Sequence, residues 1–342
     1  MPLTGAVTGW DIGGVNTKVA RVDAGVVLRA CTQPYELQRD PGALAPLLAR
    51  LAAAVGAGTS DAHAVTMTAE LSQCFRTKRE GVHFVLDALE ATFGGAAVRV
   101  YAVDGRFLDV ADARREPIAV AASNWAATAR LAARAFLHAV LVDVGTTTTD
   151  VIPIVSGQVA ALGRTDPERL REGELLYLGA LRTPVEAIVQ RVPLDGAFAG
   201  VSAEGFALAG DVHVWRGTLD PSSYTTPTPD GRPATREYAG ERLARVVCAD
   251  RELLDDRAIT DIADHVAEVQ IGRIRAAIAR VQRRLPIIDT AVTTGLGEFL
   301  AADAARRAGL RVQPLHAAIG GAPTQCAAAA AVALLLADAG AA

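Results

Sequence analysis

Several signatures of metalloproteins, secreted proteins and nucleic-acid-binding proteins are missing from this sequence of 342 residues. The four cysteines are scattered and form no CxxC pair, which argues against a zinc site and against a disulfide framework. The six histidines show no metal-ligand spacing such as HExxH. Basic and acidic residues are interspersed at a net charge of −4, so no basic face for nucleic acid is indicated. We therefore expect no nucleic-acid partner and a reducing, cytoplasmic environment.

Long apolar segments and the common nucleotide-binding loop are missing as well. The N-terminus has no basic segment and no apolar core of the kind that marks a secretion signal. The apolar run from Ala327 to Leu336 is too short to cross a bilayer and is mostly alanine, which predicts a buried helix. The pattern GxxxxGK(S/T) does not occur, which excludes a P-loop protein. We expect a soluble protein without membrane contact, and we leave a monomer and a homo-oligomer both open.

The residues that are present are typical of a two-domain α/β protein. The chain is too long for one ordinary core, 51% of its residues are hydrophobic, and only 5% are aromatic. Strand and helix patterns alternate after an initial hairpin, with one long alanine-rich helix predicted over Ile118–Ala135, and this order predicts a mixed sheet covered by helices. The same theme begins again at His138. We therefore predict two similar lobes with a cleft between them, at residues 1–136 and 137–342, with an irregular insertion around 196–235. Within it, residues 221–233 are predicted to form an exposed loop, either a lid or an insertion.

The most informative feature is a loop that occurs twice. Asp11 is followed two residues later by Gly13, and Asp143 is followed two residues later by Gly145. An apolar run precedes each copy and a β-branched run follows it, which predicts a strand, a tight glycine turn and a second strand. Two ordinary hairpins capped by aspartate are the alternative interpretation.

Two such hairpins facing each other would form a phosphate clamp. In such a clamp, backbone N–H groups and hydroxyls hold the anion while acids hold a cation. We predict Mg²⁺ on Asp11 and Asp143, which are also candidate catalytic residues. The predicted phosphate- or diphosphate-binding residues of the two loops are Gly13, Gly14, Asn16, Thr17, Lys18, Gly145, Thr146, Thr147 and Thr148.

A third glycine-rich element lies late in the chain. Gly295, Gly297 and Glu298 fit a strand, a turn and the start of a helix, and Gly320 and Gly321 form a later turn. Both turns suit a pocket for a phosphate-bearing or nucleotide-like group, since a helix N-terminus favours an anion. The first pattern is also half of a dinucleotide fingerprint, although it does not open its domain as such fingerprints do. A plain helix start followed by a turn is the alternative for both.

A charged segment follows the predicted strand near residue 66. Glu70 and Lys78 lie where a strand ends and a helix begins, together with Arg76, Arg79 and Glu80. This interleaving suits contact with an anion, and we predict that Glu70 and Lys78 are catalytic residues that orient a substrate. A solvated, charged helix start is the alternative.

The three loops, in this order, resemble the actin, Hsp70 and sugar-kinase superfamily over nearly the whole chain. The resemblance implies an α/β protein with the duplicated, ribonuclease H-like fold of actin-like ATPases. It assigns the loops after Asp11 and Asp143 to the two phosphate motifs, and Gly295–Gly297 to the adenosine motif. It does not settle the substrate.

Three further segments narrow the resemblance. Residues 66–82 are similar to the signature of the hydantoinase/oxoprolinase branch of that superfamily. Residues 176–184 and 236–250 resemble a smaller group within it, the tetrahydromethanopterin-linked one-carbon proteins. That group includes the condensing enzyme of methanofuran biosynthesis, which is thought to join γ-glutamyltyramine to an aminomethylfuran methyl diphosphate. The resemblance therefore implies a transferase that uses these two small molecules, forms an aryl ether and releases diphosphate.

Two other functions stay open. The first is an ATP-dependent enzyme, either a small-molecule kinase or an oxoprolinase/hydantoinase-like hydrolase, which would bind ATP and form ADP. The second is a nucleotide-binding partner of one-carbon enzymes without turnover. The general base is open too. In the transferase it is a carboxylate or lysine within reach of a phenol, and in a kinase it is Asp143 or Asp150.

Overall fold

The computed structural model describes residues 5–94, 96–318 and 326–341, and the statements below concern these residues. The chain divides into two compact units. The first unit combines residues 1–138, 154–168 and 314–342, and the second combines residues 139–153 and 169–313. The C-terminal segment therefore belongs with the N-terminal residues, and the lobes at 1–136 and 137–342 stay a prediction.

The strands form two larger sheets and one small hairpin. In chain order they are β1 (Val7–Ile12), β2 (Asn16–Asp23), β3 (Val26–Pro34), β4 (Ala62–Met67), β5 (Val98–Tyr101), β6 (Phe107–Leu108), β7 (His138–Val144), β8 (Thr149–Val155), β9 (Gln158–Val159), β10 (Leu175–Leu176), β11 (Arg191–Leu194), β12 (Ala197–Gly200), β13 (Thr290–Thr294) and β14 (Arg311–Pro314).

The helices range from a single turn to 29 residues, and none in the described part of the chain is long and apolar enough to cross a membrane. In chain order they are α1 (Leu44–Val55), α2 (Lys78–Phe93), α3 (Val110–Arg115), α4 (Pro117–Val120), α5 (Asn124–Ala135), α6 (Asp166–Glu172), α7 (Val185–Ile188), α8 (Ala209–Trp215), α9 (Arg236–Arg245), α10 (Asp256–Arg284), α11 (Glu298–Arg307), α12 (Leu315–Ala318) and α13 (Ala327–Ala341). Short 3₁₀ turns lie at Pro41–Ala43, Ala69–Leu71 and Pro221–Ser223.

The first sheet has the strand order β3-β2-β1-β4-β5-β6. Strand β2 runs antiparallel to β1 and β3, whereas β4 runs parallel to β1 and β5. Because β1 and β4 are parallel and Ile12 is paired with Met67, the residues that follow the two strands lie at the same edge of the sheet. This edge carries the first predicted loop and Glu70.

The second sheet has the order β10-β8-β7-β13-β14, and β9 also pairs with β8. The first five strands of the first sheet have the order β3-β2-β1-β4-β5. The second sheet repeats this order, with β8, β7, β13 and β14 in the positions of β2, β1, β4 and β5, and with β9 or β10 in the position of β3. The register repeats as well, since Thr66 of β4 lies opposite Asp11 and Thr294 of β13 lies opposite Asp143. The two sheets therefore confirm the duplication that the doubled loop predicts.

The alanine-rich C-terminal helix packs directly on strand β1. A Cβ on Gly9 of β1 would lie 2.0 Å from the carbonyl oxygen of Ala329 and 2.8 Å from the Cβ of Ala333, both in α13. Helix α13 also contacts β2 and β4, and its residues 327–336 are buried. The prediction of a buried helix over Ala327–Leu336 is confirmed, and its small side chains allow the close approach to the sheet.

The long helix predicted over Ile118–Ala135 is wrong, because the chain leaves the helical path between α4 and α5. Ala122 has a φ of 49°, and Ala121 forms a β-bridge with Met67. A residue in the left-handed region cannot continue a right-handed helix. The alanine-rich composition favours helix throughout, and the contact with β4 overrides it locally.

The insertion around residues 196–235 is less irregular than predicted, since it contains strand β12 and helix α8. Every residue of α8 is buried. Arg242 of α9, which is 1% exposed, donates from Nε to Oδ1 of Asp211 in α8 at 2.8 Å. This buried ion pair fixes α8 to α9.

The segment 221–233, predicted to be an exposed loop, is held at two points. Nη1 of Arg242 donates to Oδ1 of Asp230 at 3.0 Å. The buried Tyr224 ring lies 2.7 Å from the position that a Cβ on Gly210 would take. The other residues of the segment are exposed or half-buried. The loop is therefore on the surface, as predicted, and it is anchored to the second unit near both of its ends.

Candidate active site

The first predicted loop closes through a glycine turn between β1 and β2. The N–H of Gly13 donates to the carbonyl oxygen of Asn16 at 3.0 Å. A Cβ on Gly13 would lie 2.6 Å from that same oxygen, and a Cβ on Gly14 would lie 2.8 Å from Oγ of Ser72. The turn itself therefore requires glycine at position 13, and Gly14 leaves room for the segment that follows β4.

Three side-chain oxygens beside this turn are buried and have no hydrogen-bond partner in the described residues: Oδ1 of Asp11, Oδ1 of Asn16 and Oγ1 of Thr17. Oδ2 of Asp11 accepts a hydrogen bond from Nζ of Lys18 at 2.9 Å. Asp11 is paired with Lys18 and side chains alternate along a strand, so Asp11, Lys18 and Asn16 share one face while Thr17 lies on the other. Buried polar atoms nearly always have partners, so the two oxygens that share a face, Oδ1 of Asp11 and Oδ1 of Asn16, are candidates for contact with a ligand.

The second loop repeats the turn between β7 and β8. The N–H of Gly145 donates to the carbonyl oxygen of Thr148 at 2.9 Å, at the same offset as in the first loop. Asp143 and the threonines 146–148 are half-buried. Oδ1 of Asp143 lies 2.4 Å from the position of a Cβ on Gly295, so this glycine makes room for the carboxylate. Half-buried hydroxyls beside a glycine turn suit contact with phosphate oxygens.

Segment 176–184 holds the second loop through its backbone. The N–H of Ala180 donates to the carbonyl oxygen of Gly145 at 2.9 Å. Gly179 lies so close to the loop that a Cβ on it would be 2.4 Å from the backbone nitrogen of Thr147. A segment that the sequence distinguishes only by its family resemblance therefore has a structural role, which is to fix the second loop.

A buried polar relay continues from this segment into helix α10. Nε2 of Gln270 donates to the carbonyl oxygen of Gly179 at 2.9 Å, and Oε1 of Gln270 bonds Nε2 of His213 at 2.9 Å. Burial lowers the pKa of His213 to about 4, so its imidazole is neutral and can donate to the amide oxygen. Sequence reasoning missed both residues. The available signal was a glutamine on the apolar face of a long helix.

The third predicted loop lies against the second. Gly295 has a φ of 93°, and the N–H of Gly297 donates to the carbonyl oxygen of Val144 at 2.8 Å. A Cβ on Gly297 would lie 2.4 Å from Cγ1 of Val144. Glu298 then begins α11. The structure therefore brings the second and third loops together, and the predicted turn at Gly320 and Gly321 lies outside the described residues.

Glu70 lies in the 3₁₀ turn that follows β4 and is 1% exposed. Burial raises the pKa of its carboxyl to about 7, and the charge of Asp166 acts in the same direction. Lys78 and the backbone N–H of Ala122 lie near enough to favour the charged form. Lys78 begins α2, and its Nζ donates to Oδ2 of Asp166 at 2.7 Å. Glu70 and Lys78 therefore lie near each other, and Lys78 forms its ion pair with Asp166, while their predicted role in orienting a substrate stays a prediction.

The predicted Mg²⁺ can be compared with the oxygen atoms around the loops. The described residues contain no group of three or more His, Cys, Asp or Glu side chains placed to hold a metal ion. Mg²⁺, however, is often held by one or two carboxylates, completed by water and substrate phosphate oxygens. The unpartnered Oδ1 of Asp11 and the half-buried carboxylate of Asp143 fit that pattern, each within its own unit.

Comparison with known proteins places the sequence in a family. The model of the hydantoinase/oxoprolinase family matches residues 61–339. The (4-{4-[2-(gamma-L-glutamylamino)ethyl]phenoxymethyl}furan-2-yl)methanamine synthase of Methanocaldococcus jannaschii is 36% identical over 87% of this chain and 88% of its own length. The synthase of the same name from Methanococcus vannielii is 36% identical over 49% of this chain and 74% of its own.

Solved structures show the fold. Nucleotide-free acetone carboxylase matches with a TM-score of 0.60 and 12% identity, over 96% of this chain and 70% of that chain. Component A of the (R)-2-hydroxyglutaryl-CoA dehydratase of Acidaminococcus fermentans matches with a TM-score of 0.50 and 10% identity, over 99% and 100% of the two chains. These likenesses confirm the predicted actin-like α/β fold. The family model, which matches residues 61–339, shows that the chain belongs to the hydantoinase/oxoprolinase family.

Proposed function

We propose that the chain is a cytoplasmic transferase of methanofuran-type cofactor biosynthesis. It would join an aminomethylfuran methyl diphosphate to γ-glutamyltyramine through an aryl ether and release diphosphate. One observation carries the proposal: 36% identity extends over nearly the full length of both this chain and a synthase whose name describes that ether. The two glycine loops would supply the backbone N–H groups, hydroxyls and carboxylates that a diphosphate and its cation need.

The loops would hold the diphosphate and its cation. Asp11 and Asp143 would bind Mg²⁺, which when bound neutralises charge on the departing diphosphate. Lys18, held at 2.9 Å from Asp11, adds a positive charge beside the first loop. The backbone turn at Gly145 and the hydroxyls of residues 146–148 would contact the phosphate oxygens.

The second substrate must lose a proton and be oriented. A phenol has a pKa near 10, so a basic side chain has to accept its proton as the ether forms. Glu70 and Lys78 are the candidates for orienting it, and both lie in the family-signature segment 66–82. Water must be kept from the furylmethyl carbon as the diphosphate leaves, because that carbon builds up positive charge.

The turn at Gly295 and Gly297 favours a second candidate, an ATP-dependent kinase or an oxoprolinase/hydantoinase-like hydrolase. It lies against the second loop at the start of a helix, which is a suitable place for a nucleotide. This reading predicts ADP formation, whereas the transferase releases diphosphate and consumes no ATP.

The two candidates are separated by their products. Purified protein is incubated with Mg²⁺, the furan diphosphate and γ-glutamyltyramine without ATP, and the ether and diphosphate are measured by mass spectrometry and a phosphate assay. We expect equal amounts of both. Absence of the ether, together with ADP formation when ATP and other small acceptors are supplied, would overturn the transferase proposal.

A variant tests the loop assignment. Asp143→Asn should abolish turnover while the circular dichroism spectrum stays native, because a cation ligand is lost without a change in volume. Asp289→Asn is the matched control, since that side chain is 67% exposed and forms a surface ion pair with Arg311. Near-normal activity of Asp143→Asn would remove Asp143 from the site.

A further inference from the structure

Glu70 is buried in an unusual way for an acid. It is 1% exposed, and neither Oε1 nor Oε2 makes a hydrogen bond of normal geometry with the described residues, although the backbone N–H groups of Glu70 itself and of Ala122 lie near enough to favour its charged form. The nearby Lys78 does not neutralise it directly, since its Nζ is 2.7 Å from Oδ2 of Asp166. A buried carboxyl without partners costs stability, and such groups are concentrated at functional sites.

The backbone around Glu70 holds it in place. Gly81 in the first turn of α2 lies so close that a Cβ on it would be 2.6 Å from Cα of Glu70. On another side lies the turn after α4, in which Ala122 has a φ of 49° and presents its N–H towards the carboxyl. Oγ of Ser123, the next residue, is also buried without a partner. Two unsatisfied side chains therefore come from adjoining segments of the first unit.

The position of Glu70 in the sheet is that of a ligand-binding residue. It follows β4, whose end is paired with the end of β1, so it lies at the edge that carries Asp11 and the first glycine turn. Ligands of α/β proteins bind at the carboxyl ends of the strands. Leu71, the next residue, is 51% exposed, so the turn that carries Glu70 reaches the surface of the first unit.

We propose that Glu70 is the general base of the transferase and accepts the phenolic proton of γ-glutamyltyramine. This assignment depends on the proposed function. In the step, a bond forms between the phenol oxygen and the furylmethyl carbon, and the bond from that carbon to the diphosphate oxygen breaks. The electron pair leaves with the diphosphate, and the proton moves to the Glu70 carboxylate and later to water.

The protonation behaviour of Glu70 supports this role. Burial raises the pKa of Glu70 to about 7, which is nearer to the pKa of the phenol than the pKa of an ordinary glutamate is. Glu70 is therefore a stronger base than an ordinary glutamate, and it is still partly ionised at neutral pH. The charged groups that act on it are Lys78 of α2 and Asp166 of α6. Lys78 lowers the pKa of Glu70 and Asp166 raises it, and the two side chains are paired with each other. Burial is therefore the main cause of the raised pKa.

The experiment compares two phenols in two variants. With γ-glutamyltyramine, Glu70→Gln should lower kcat by roughly 10²- to 10⁴-fold, the usual contribution of a general base. With a ring-fluorinated analogue whose phenol is already ionised at the assay pH, the variant should regain most of the wild-type rate, because no base is needed. Glu204→Gln is the control, since Glu204 is exposed and lies outside the charged segment, and it should leave both rates unchanged.

The outcomes separate this assignment from the proposed function. A wild-type protein that forms no ether with either phenol overturns both. A wild-type protein that forms the ether, with Glu70→Gln equally fast, overturns the base alone. A Glu70→Gln variant that is equally slow with both phenols also overturns the base alone, because an ionised phenol needs no base and the lower kcat then has a cause other than proton transfer. If the variant does not fold, the wild-type pH profile decides, since the base requires kcat to rise through about pH 7 and a flat profile refutes it.

Discussion

Replacing Glu70 by glutamine should change how the stability of the protein depends on pH. The carboxyl has a pKa of about 7 in the folded protein, raised by burial from an ordinary value of 4.5. At low pH the carboxyl is protonated in both the folded and the unfolded chain, so its ionisation does not lower the free energy of unfolding. As the pH rises, the unfolded chain ionises first, so stability is lost until the pH has passed through the folded pKa. The shift corresponds to about 3 kcal/mol.

Urea unfolding of wild type and Glu70→Gln at several pH values measures this effect. Glutamine does not ionise, so the free energy of unfolding of the variant relative to wild type should rise by about 3 kcal/mol between about pH 4.5 and pH 8. Glu204→Gln should show no such trend, because Glu204 is exposed. Parallel pH curves for wild type and Glu70→Gln would refute the reasoning, since they would mean that Glu70 titrates as an ordinary solvated acid.

Two glycine substitutions test the close contacts that position the loops. Gly179→Ala should raise the KM for the furan diphosphate by about tenfold or more, because its Cβ would push on the backbone nitrogen of Thr147 at 2.4 Å, and steady-state kinetics measure this. Gly9→Ala should lower the free energy of unfolding by about 1–3 kcal/mol, because the Cβ meets the carbonyl oxygen of Ala329 at 2.0 Å. Gly272→Ala in α10 has open space around it and serves as the control for both, with a gain of about 0.5–1 kcal/mol and unchanged kinetics.

The fold was predictable because its signals are local and repeated. An aspartate at the end of an apolar strand, a glycine two residues later and a β-branched run define a hairpin without reference to the rest of the chain. Both copies form the same hydrogen bond, from Gly13 to Asn16 and from Gly145 to Thr148. The order of the loops along the chain then identified the superfamily, although no single loop would have done so.

The contacts that hold the loops in place could not be predicted, because they join residues far apart in sequence. Gln270 reaches Gly179 across 91 positions, and Gly9 accommodates a helix more than 300 positions later. The local sequence shows Gln270 as a glutamine on the apolar face of a long helix but does not identify its partner, and nothing in it marks Gly9. The break at Ala122 was missed for a related reason, since no glycine or proline lies in that stretch and only the bridge from Ala121 to β4 explains it.

The three segments that carry the family resemblance differ in what they do. Segment 236–250 contributes Arg242, which is buried against Asp211 at 2.8 Å, and loss of one partner would leave a buried charge at a cost of about 3–5 kcal/mol. Segment 176–184 holds the second loop mainly through backbone hydrogen bonds and the close approach of Gly179. These two segments therefore support the scaffold. Segment 66–82 alone contributes an acid that is buried and unpartnered, and this is the segment in which differences in acceptor chemistry between members of the family should be sought.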